Sequence, residues 1–258
     1  MTAHHPTHGQ EAVALSVRGL SKRFKGSKQP VWSNVSFDIP RGQRVAIIGG
    51  NGTGKSTLLR CCMRLIEPDA GDVFFGHQRI TGMHGRNLAA SRARVGFVFQ
   101  KHNLVHRLSV LSNVIHGAMA HTRTPRLWFQ SLAPKDVREH ALHCLEQVNL
   151  ADFCNRRTDQ LSGGQSQRVA IARALMQKPN MIFADEPVAS LDPQAGEDVM
   201  QAFSDLARQQ NLTLVFVTHH LEHALRYSDR VLGLREGALT LDTPTQGQSN
   251  QQLREMYE

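Results

Sequence analysis

No apolar run in the sequence approaches the roughly 18 residues that a bilayer-crossing helix needs. Any work at a membrane must therefore pass through a partner. The longest apolar stretches, such as Val45-Ala46-Ile47-Ile48, have the length of buried strands. Met1–Gln10 carries no apolar segment, which predicts no secretory signal. His4, His5 and His8 there read as part of a disordered tail rather than as a metal site. The four cysteines, Cys61, Cys62, Cys144 and Cys154, show neither a disulfide framework nor zinc spacing. They read as reduced thiols suited to a reducing cytosol. No block of like charge occurs, and the net charge of +8 is scattered, so the sequence predicts no nucleic-acid binding. No internal repeat is visible.

What is present is 258 residues of ordinary globular composition, 40% hydrophobic and 20% charged, enough for one large α/β domain or two small ones. Strand-like runs at Ala14 to Val17, Val35 to Ile39 and Val73 to Phe75 are separated by Gly and Pro turns. Val45 to Ile48 is a buried strand running into a glycine-rich loop. From Ser56, apolar residues recur at helical spacing through Leu58, Leu59, Cys62, Met63 and Ile66, and Pro68 is expected to stop the helix. After a strand at Val95 to Phe99, the stretch Lys101 to Pro179 shows helical faces only: Val137, Ala141, Leu145 and Val148, then Val169, Ala172 and Met176. Strands return at Met181 to Ala184, Thr213 to Thr218 and Val231 to Leu234, with a helix carrying Val199, Phe203 and Leu206 between the first two. The pattern predicts a mostly parallel sheet covered on both faces, with a helical insertion. Only 24 residues follow Leu234, so no appended regulatory domain is expected.

Gly49-Gly50-Asn51-Gly52-Thr53-Gly54-Lys55-Ser56 fits the phosphate-binding pattern G-x-x-x-x-G-K-[ST], with the required strand before it and helix after it. Four glycines let backbone N–H groups converge on phosphates, and the helix start adds its positive end. Lys55 is expected to reach the β- and γ-phosphates, Ser56 to ligate Mg²⁺, and Thr57 to complete the phosphate-binding set. Met181-Ile182-Phe183-Ala184 ends in Asp185 and Glu186. In that context Asp185 is expected near Mg²⁺, and Glu186 as general base or positioning group for the attacking water. A nucleotide pocket and a nearby anionic lipid surface would account for the basic excess.

Leu161-Ser162-Gly163-Gly164-Gln165 opens a further helix, and its Ser and two glycines suit an anion-binding N-terminus, although as a bare pattern they read equally as a flexible turn plus an N-cap. With the phosphate loop upstream and the Asp-Glu strand downstream, the sequence resembles the ATP-binding cassette family from about Leu15 to Gly237. The resemblance implies a P-loop NTPase core of mostly parallel sheet, an N-terminal antiparallel β subdomain and a helical insertion. It places a tail at 1–12, the ATPase domain at 13–240 with its helical subdomain at about 101–179, and a short tail at 241–258. It also implies ATP as substrate with Mg²⁺, the ion being held by Ser56, Asp185 and Gln100. Gln100 resembles the residue that links Mg²⁺ and the lytic water to the helical subdomain. Ala189-Ser190-Leu191-Asp192 resembles the D-loop, with Asp192 near nucleotide. His219 resembles the switch histidine, chosen over His220 because Ala224 lies five positions on. Phe24 resembles the aromatic residue that stacks on adenine, and a buried strand residue is its equal alternative. Ser162, Gly163, Gly164 and Gln165 would close over ATP held by the phosphate loop of the other protomer, which implies a homodimer or close pairing with a second cassette.

A narrower similarity to ATP-binding subunits of phosphonate importers lies in Phe99 to Val114 and in the insert His121 to Leu132, with Trp128 and Phe129. It implies two transmembrane permease subunits, a periplasmic or surface substrate-binding protein, and a peripheral location on the cytoplasmic face of the cell inner membrane. Asn51-Gly52-Thr53 and Ser166 depart from the version usual in those subunits but leave the glycines and Lys55 intact. The cargo expected is a phosphonate, phosphite or phosphate ester. The alternatives are a soluble subunit of a carbon–phosphorus lyase complex, or an importer or exporter of another substrate.

Overall fold

The computed structural model describes residues 13–122 and 124–257, so the expected N-terminal tail with His4, His5 and His8 lies outside the described residues. The first half of the chain forms β1 (Val13–Lys22), β2 (Trp32–Pro40), β3 (Arg44–Gly49), α1 (Lys55–Cys62), β4 (Ala70–Phe75), β5 (Gln78–Arg79), α2 (Gly85–Arg92), β6 (Val95–Val98) and α3 (Val110–Ile115). The second half forms α4 (Lys135–Glu146), α5 (Gly163–Leu175), β7 (Met181–Asp185), α6 (Pro193–Gln209), β8 (Thr213–Val217), α7 (Leu221–Tyr227), β9 (Arg230–Arg235), β10 (Ala238–Pro244) and α8 (Asn250–Tyr257).

Two sheets result. One is antiparallel, in the order β2-β1-β4-β5; the other runs β10-β9-β3-β8-β7-β6 and is parallel except for the edge strand β10. The period of two in the central strands decides what each face buries. Ala46 and Ile48, Ile182 and Ala184, and Leu214 and Phe216 face a core shared with α5 and α6. Val45 and Ile47, Met181 and Phe183, and Val215 and Val217 face a second core, shared with α1 and the antiparallel sheet. Burial on both faces is why these strands read as unbroken apolar runs. The order β3-β8-β7-β6 sets four parallel strands side by side, so their carboxyl ends share one edge of the sheet. Open α/β sheets bind ligands at that edge.

Helix α1 corrects one expectation. It ends at Cys62, not at Pro68, because Arg64 takes φ 52° and the Leu65 N–H returns to the Arg60 carbonyl at 2.8 Å. Such a left-handed reversal closes a helix while the apolar spacing continues; Ile66 still packs on the core from outside the helix. The insertion carries α3, α4, α5 and short 3-10 turns, one of them Pro125–Trp128. At the other end, the boundary drawn at 240 falls inside β10, and Leu253 of α8 is fully buried against the core.

Candidate functional site

The phosphate loop leaves β3 at Gly49 and enters α1 at Lys55. Gly54 sits at φ 90°, and a Cβ there would lie 2.2 Å from Val31 Cγ1, so only glycine fits. The fully buried Trp32 completes that wall, donating from its indole to the Gly54 carbonyl at 3.3 Å. The Lys55 ammonium is buried and donates to the carbonyls of Gly49 at 2.8 Å and Gly50 at 2.9 Å. Burial pushes its pKa down, opposed by the charges of Glu186 and Asp185. Thr53 closes the loop by donating to the Gly50 carbonyl at 2.9 Å.

The carboxylates arrive on β7. Ser56 Oγ donates to Asp185 Oδ1 at 2.5 Å, and the Arg60 guanidinium meets Asp185 Oδ2 at 3.1 Å. Asp185 is only 1% exposed, so its charge requires this pairing. Glu186, one residue on, holds φ 48°, a left-handed conformation costly for a non-glycine and found disproportionately at functional sites. Gln100, just past β6, donates from Nε2 to Glu186 Oε2 at 3.1 Å. His219 follows β8. Burial, with His220 alongside at 4.1 Å between ring centroids, pushes its imidazole below the usual value, while Glu186 draws it back. His219 thus feels Glu186 and Lys55, whereas the His220 ring lies 5.0 Å from that of His223, which bonds Glu197 at 3.0 Å. Both histidines follow Thr218, but it is His219 that shares the electrostatics of the loop and carboxylates.

Ser162 caps α5 by accepting from the Gln165 N–H at 3.3 Å, and the Gln165 side chain accepts the Ser162 N–H at 3.0 Å. This reciprocal capping box fixes the direction of the helix start. A Cβ on Gly163 would come 2.9 Å from Leu191 Cδ2, so the segment packs directly on the Ala189-Ser190-Leu191-Asp192 turn. Asp192 in turn caps α6, accepting from the Ala195 N–H at 3.0 Å.

Phe24 lies beyond the end of β1 and is 45% exposed, which removes the reading of a buried strand residue. Trp128, Phe129 and Leu132 are each more than half exposed, an apolar group on the insertion. Sequence reasoning missed Trp32 and Arg60. Arg60 had a signal: it stands four residues after Ser56, on the same helix face.

The arrangement suits a hard cation bridged to phosphates. The Ser56 hydroxyl, the Asp185 carboxylate and the Gln100 amide oxygen are all oxygen donors of the kind Mg²⁺ takes. Among the described residues no group of three or more His, Cys, Asp or Glu side chains could hold a metal. The donor set therefore fits an ion that completes its shell with water and substrate oxygens rather than one held in an all-protein cage.

The chain is similar to known proteins over most of its length. Residues 32–189 match the ABC transporter family. The chain is 39% identical over 250 residues to the phosphonates import ATP-binding protein PhnC of Bordetella parapertussis, covering 95% of this chain and 97% of that protein. It is 42% identical over 254 residues to the phosphate-import ATP-binding protein PhnC of Mycolicibacterium smegmatis, covering 98% and 95%. Among solved structures it resembles the dimeric post-hydrolysis state of the ATP-binding cassette MJ0796 bound to ADP and Pi. There the TM-score is 0.78 at 33% identity, covering 91% of this chain and 100% of the other.

Proposed function

The chain belongs to the ABC transporter family as an ATPase and ATP-binding subunit of an importer, and from that premise we propose that it couples MgATP hydrolysis in a cassette dimer to uptake of phosphonates or related phosphorus oxyanions. The observation that carries the chemistry is the meeting of Lys55, Ser56, Asp185, Glu186 and Gln100 at the carboxyl ends of β3, β6 and β7.

Each residue has a task in this reading. The loop N–H groups and Lys55 take the phosphates, with Lys55 exchanging the Gly49 and Gly50 carbonyls for phosphate oxygens. Ser56, Asp185 and the Gln100 oxygen would hold Mg²⁺, which supplies neutralisation of charge on the β- and γ-phosphate oxygens when bound. Glu186 accepts the proton of the attacking water, and Gln100 fixes its carboxylate through the 3.1 Å bond. Neutral His219 donates to the γ-phosphate, and exposed Phe24 stacks on adenine. Ser162, Gly163, Gly164, Gln165 and Asp192 close over nucleotide held by a second copy.

No helix of the described residues is long and apolar enough to cross a membrane. Attachment to the cytoplasmic face of the inner membrane therefore runs through two permease subunits, docked on the surface from Gln100 to the exposed Trp128 and Phe129. A periplasmic or surface binding protein delivers the cargo. The names of the relatives support phosphorus oxyanions as that cargo. The test is reconstitution with the co-purifying permease, comparing stimulation of ATPase by binding protein loaded with phosphonate, phosphite, phosphate or an amino acid. Stimulation by phosphonate or phosphite is expected; stimulation by the amino acid alone overturns the substrate class and leaves the ATPase intact.

A further inference from the structure

We propose that Gln167 is a positioning residue that links closure of the cassette dimer to the turn beside Glu186. The inference rests on the dimer reading above and names a residue that reading does not use. Gln167 is fully buried, and both polar atoms of its amide, Nε2 and Oε1, lack a hydrogen-bond partner. A buried amide left so costs the desolvation of a donor and of an acceptor. An apolar side chain of the same size would avoid that cost, so packing alone does not explain a glutamine here.

Helix geometry says where the amide faces. Gln167 stands four residues after Gly163 and three after Gly164, and at 3.6 residues per turn it projects between them. A Cβ on Gly163 would lie 2.9 Å from Leu191 Cδ2, and one on Gly164 would lie 3.4 Å from Ala195 Cβ. The amide therefore faces the seam where α5 meets the D-loop turn and the start of α6. On the flank of that seam, Gln100, Ser166 and Ser190 line one cavity.

Among the described residues the turn after Glu186 is held by two backbone bonds, Ala189 N–H to the Glu186 carbonyl at 3.3 Å and Leu191 N–H to the Val188 carbonyl at 3.1 Å. Val188 of the turn is held in the core and Leu191 packs against it, while Ala189 and Ser190 between them are exposed where a second copy would press. One side-chain amide offers a donor and an acceptor, the complement of a peptide C=O and N–H. Gln167 thus penalises the open form and is satisfied in the closed one. That difference biases the equilibrium toward closure and sets the backbone from which Glu186 projects.

The test uses the full chain carrying Glu186→Gln, with Gln167→Met as a near-isosteric apolar variant and Gln167→Leu as a second. Three quantities are read: the melting temperature without nucleotide, ATP affinity of the monomer, and the ATP concentration giving half-maximal dimer by sedimentation. Both variants should melt at the parent temperature or above it and bind ATP as before. They should need roughly tenfold more ATP to dimerise, the effect expected for losing one or two buried hydrogen bonds. A lower melting temperature with unchanged dimerisation marks an amide already satisfied in the open form and overturns the proposal. A loss of both, the mark of general damage, overturns it as well. If the Glu186→Gln parent itself fails to dimerise with ATP, the dimer reading falls with it; unaltered dimerisation in the Gln167 variants sinks only the role of Gln167.

Discussion

Gln100 Nε2 stands 3.1 Å from Glu186 Oε2, joining the end of β6 to the end of β7 at the point where the chain leaves the sheet for the helical insertion. Gln100→Ala should lower single-turnover hydrolysis by about tenfold, a fraction of the roughly 100-fold or more that a general base contributes. Nucleotide affinity, measured by fluorescent ATP titration, should change much less.

Binding and assembly separate at two positions. Lys55→Ala removes a buried cation from the phosphate loop and should weaken monomer ATP binding by about tenfold or more, as expected for a charge-assisted hydrogen bond. Gly164 has only ordinary contacts near a built Cβ, at 3.4 Å to Ala195 and 3.8 Å to Val199. A bulky replacement there should leave monomer binding nearly intact and abolish ATP-driven dimerisation. Equal loss of monomer affinity in both variants contradicts the placement of the signature segment on a partner's nucleotide.

Stability should fall on acidification in two stages. Burial holds the histidines His102, His116, His140, His219 and His223 below their ordinary value of 6.5. As pH drops below that value the unfolded chain takes up protons the folded one refuses, so stability declines. The Tyr227 hydroxyl bond holds the Glu197 carboxylate below its ordinary 4.5. Its contribution is full above that value and is lost as pH falls through the carboxylate range, which has the same sign. Melting curves from about pH 8 to about pH 4 should show a first fall below ~6.5 and a second below ~4.5. A melting temperature that rises between neutral and mildly acid pH contradicts the histidine assignments.

Trp128 and Phe129 test the docked surface. Both are more than half exposed, so neither anchors the folded chain strongly. Changing both to Ala should cost little melting temperature and leave basal ATP hydrolysis in place, yet weaken recruitment to permease-containing membranes. Each aromatic anchor is commonly worth on the order of 2 kcal/mol at an interface hot spot. Recruitment unchanged in the double variant removes this surface as the contact.

Much of this was legible in the chain because both faces of the central strands are buried. Met181 to Ala184 and Thr213 to Val217 left no polar alternation to confuse the reading. The phosphate loop was legible because its glycines are demanded locally, as the contact of Gly54 with Val31 makes plain. The end of α1 was not, since it depends on the left-handed turn at Arg64 while apolar spacing continues past it. Helix α8 escaped notice because its segment is mostly polar and the buried Leu253 that ties it to the core gives no periodic apolar pattern. The Arg60 pair with Asp185 joins residues 125 apart, and only the fold brings them together. Gln167 carried no sequence signal at all: its meaning lies in the partners its buried amide lacks.

In the proposed mechanism Glu186, held in a left-handed conformation at the end of β7, takes the proton of the water that attacks ATP. Glu186→Gln keeps the shape and the Gln100 neighbourhood while removing the proton acceptor. The most direct measurement is MgATP binding and hydrolysis by this variant in one preparation. Affinity should stay close to that of the parent, hydrolysis should fall by roughly 100-fold or more, and a stable ATP-bound dimer should form on sedimentation. Near-normal turnover in Glu186→Gln contradicts this mechanism.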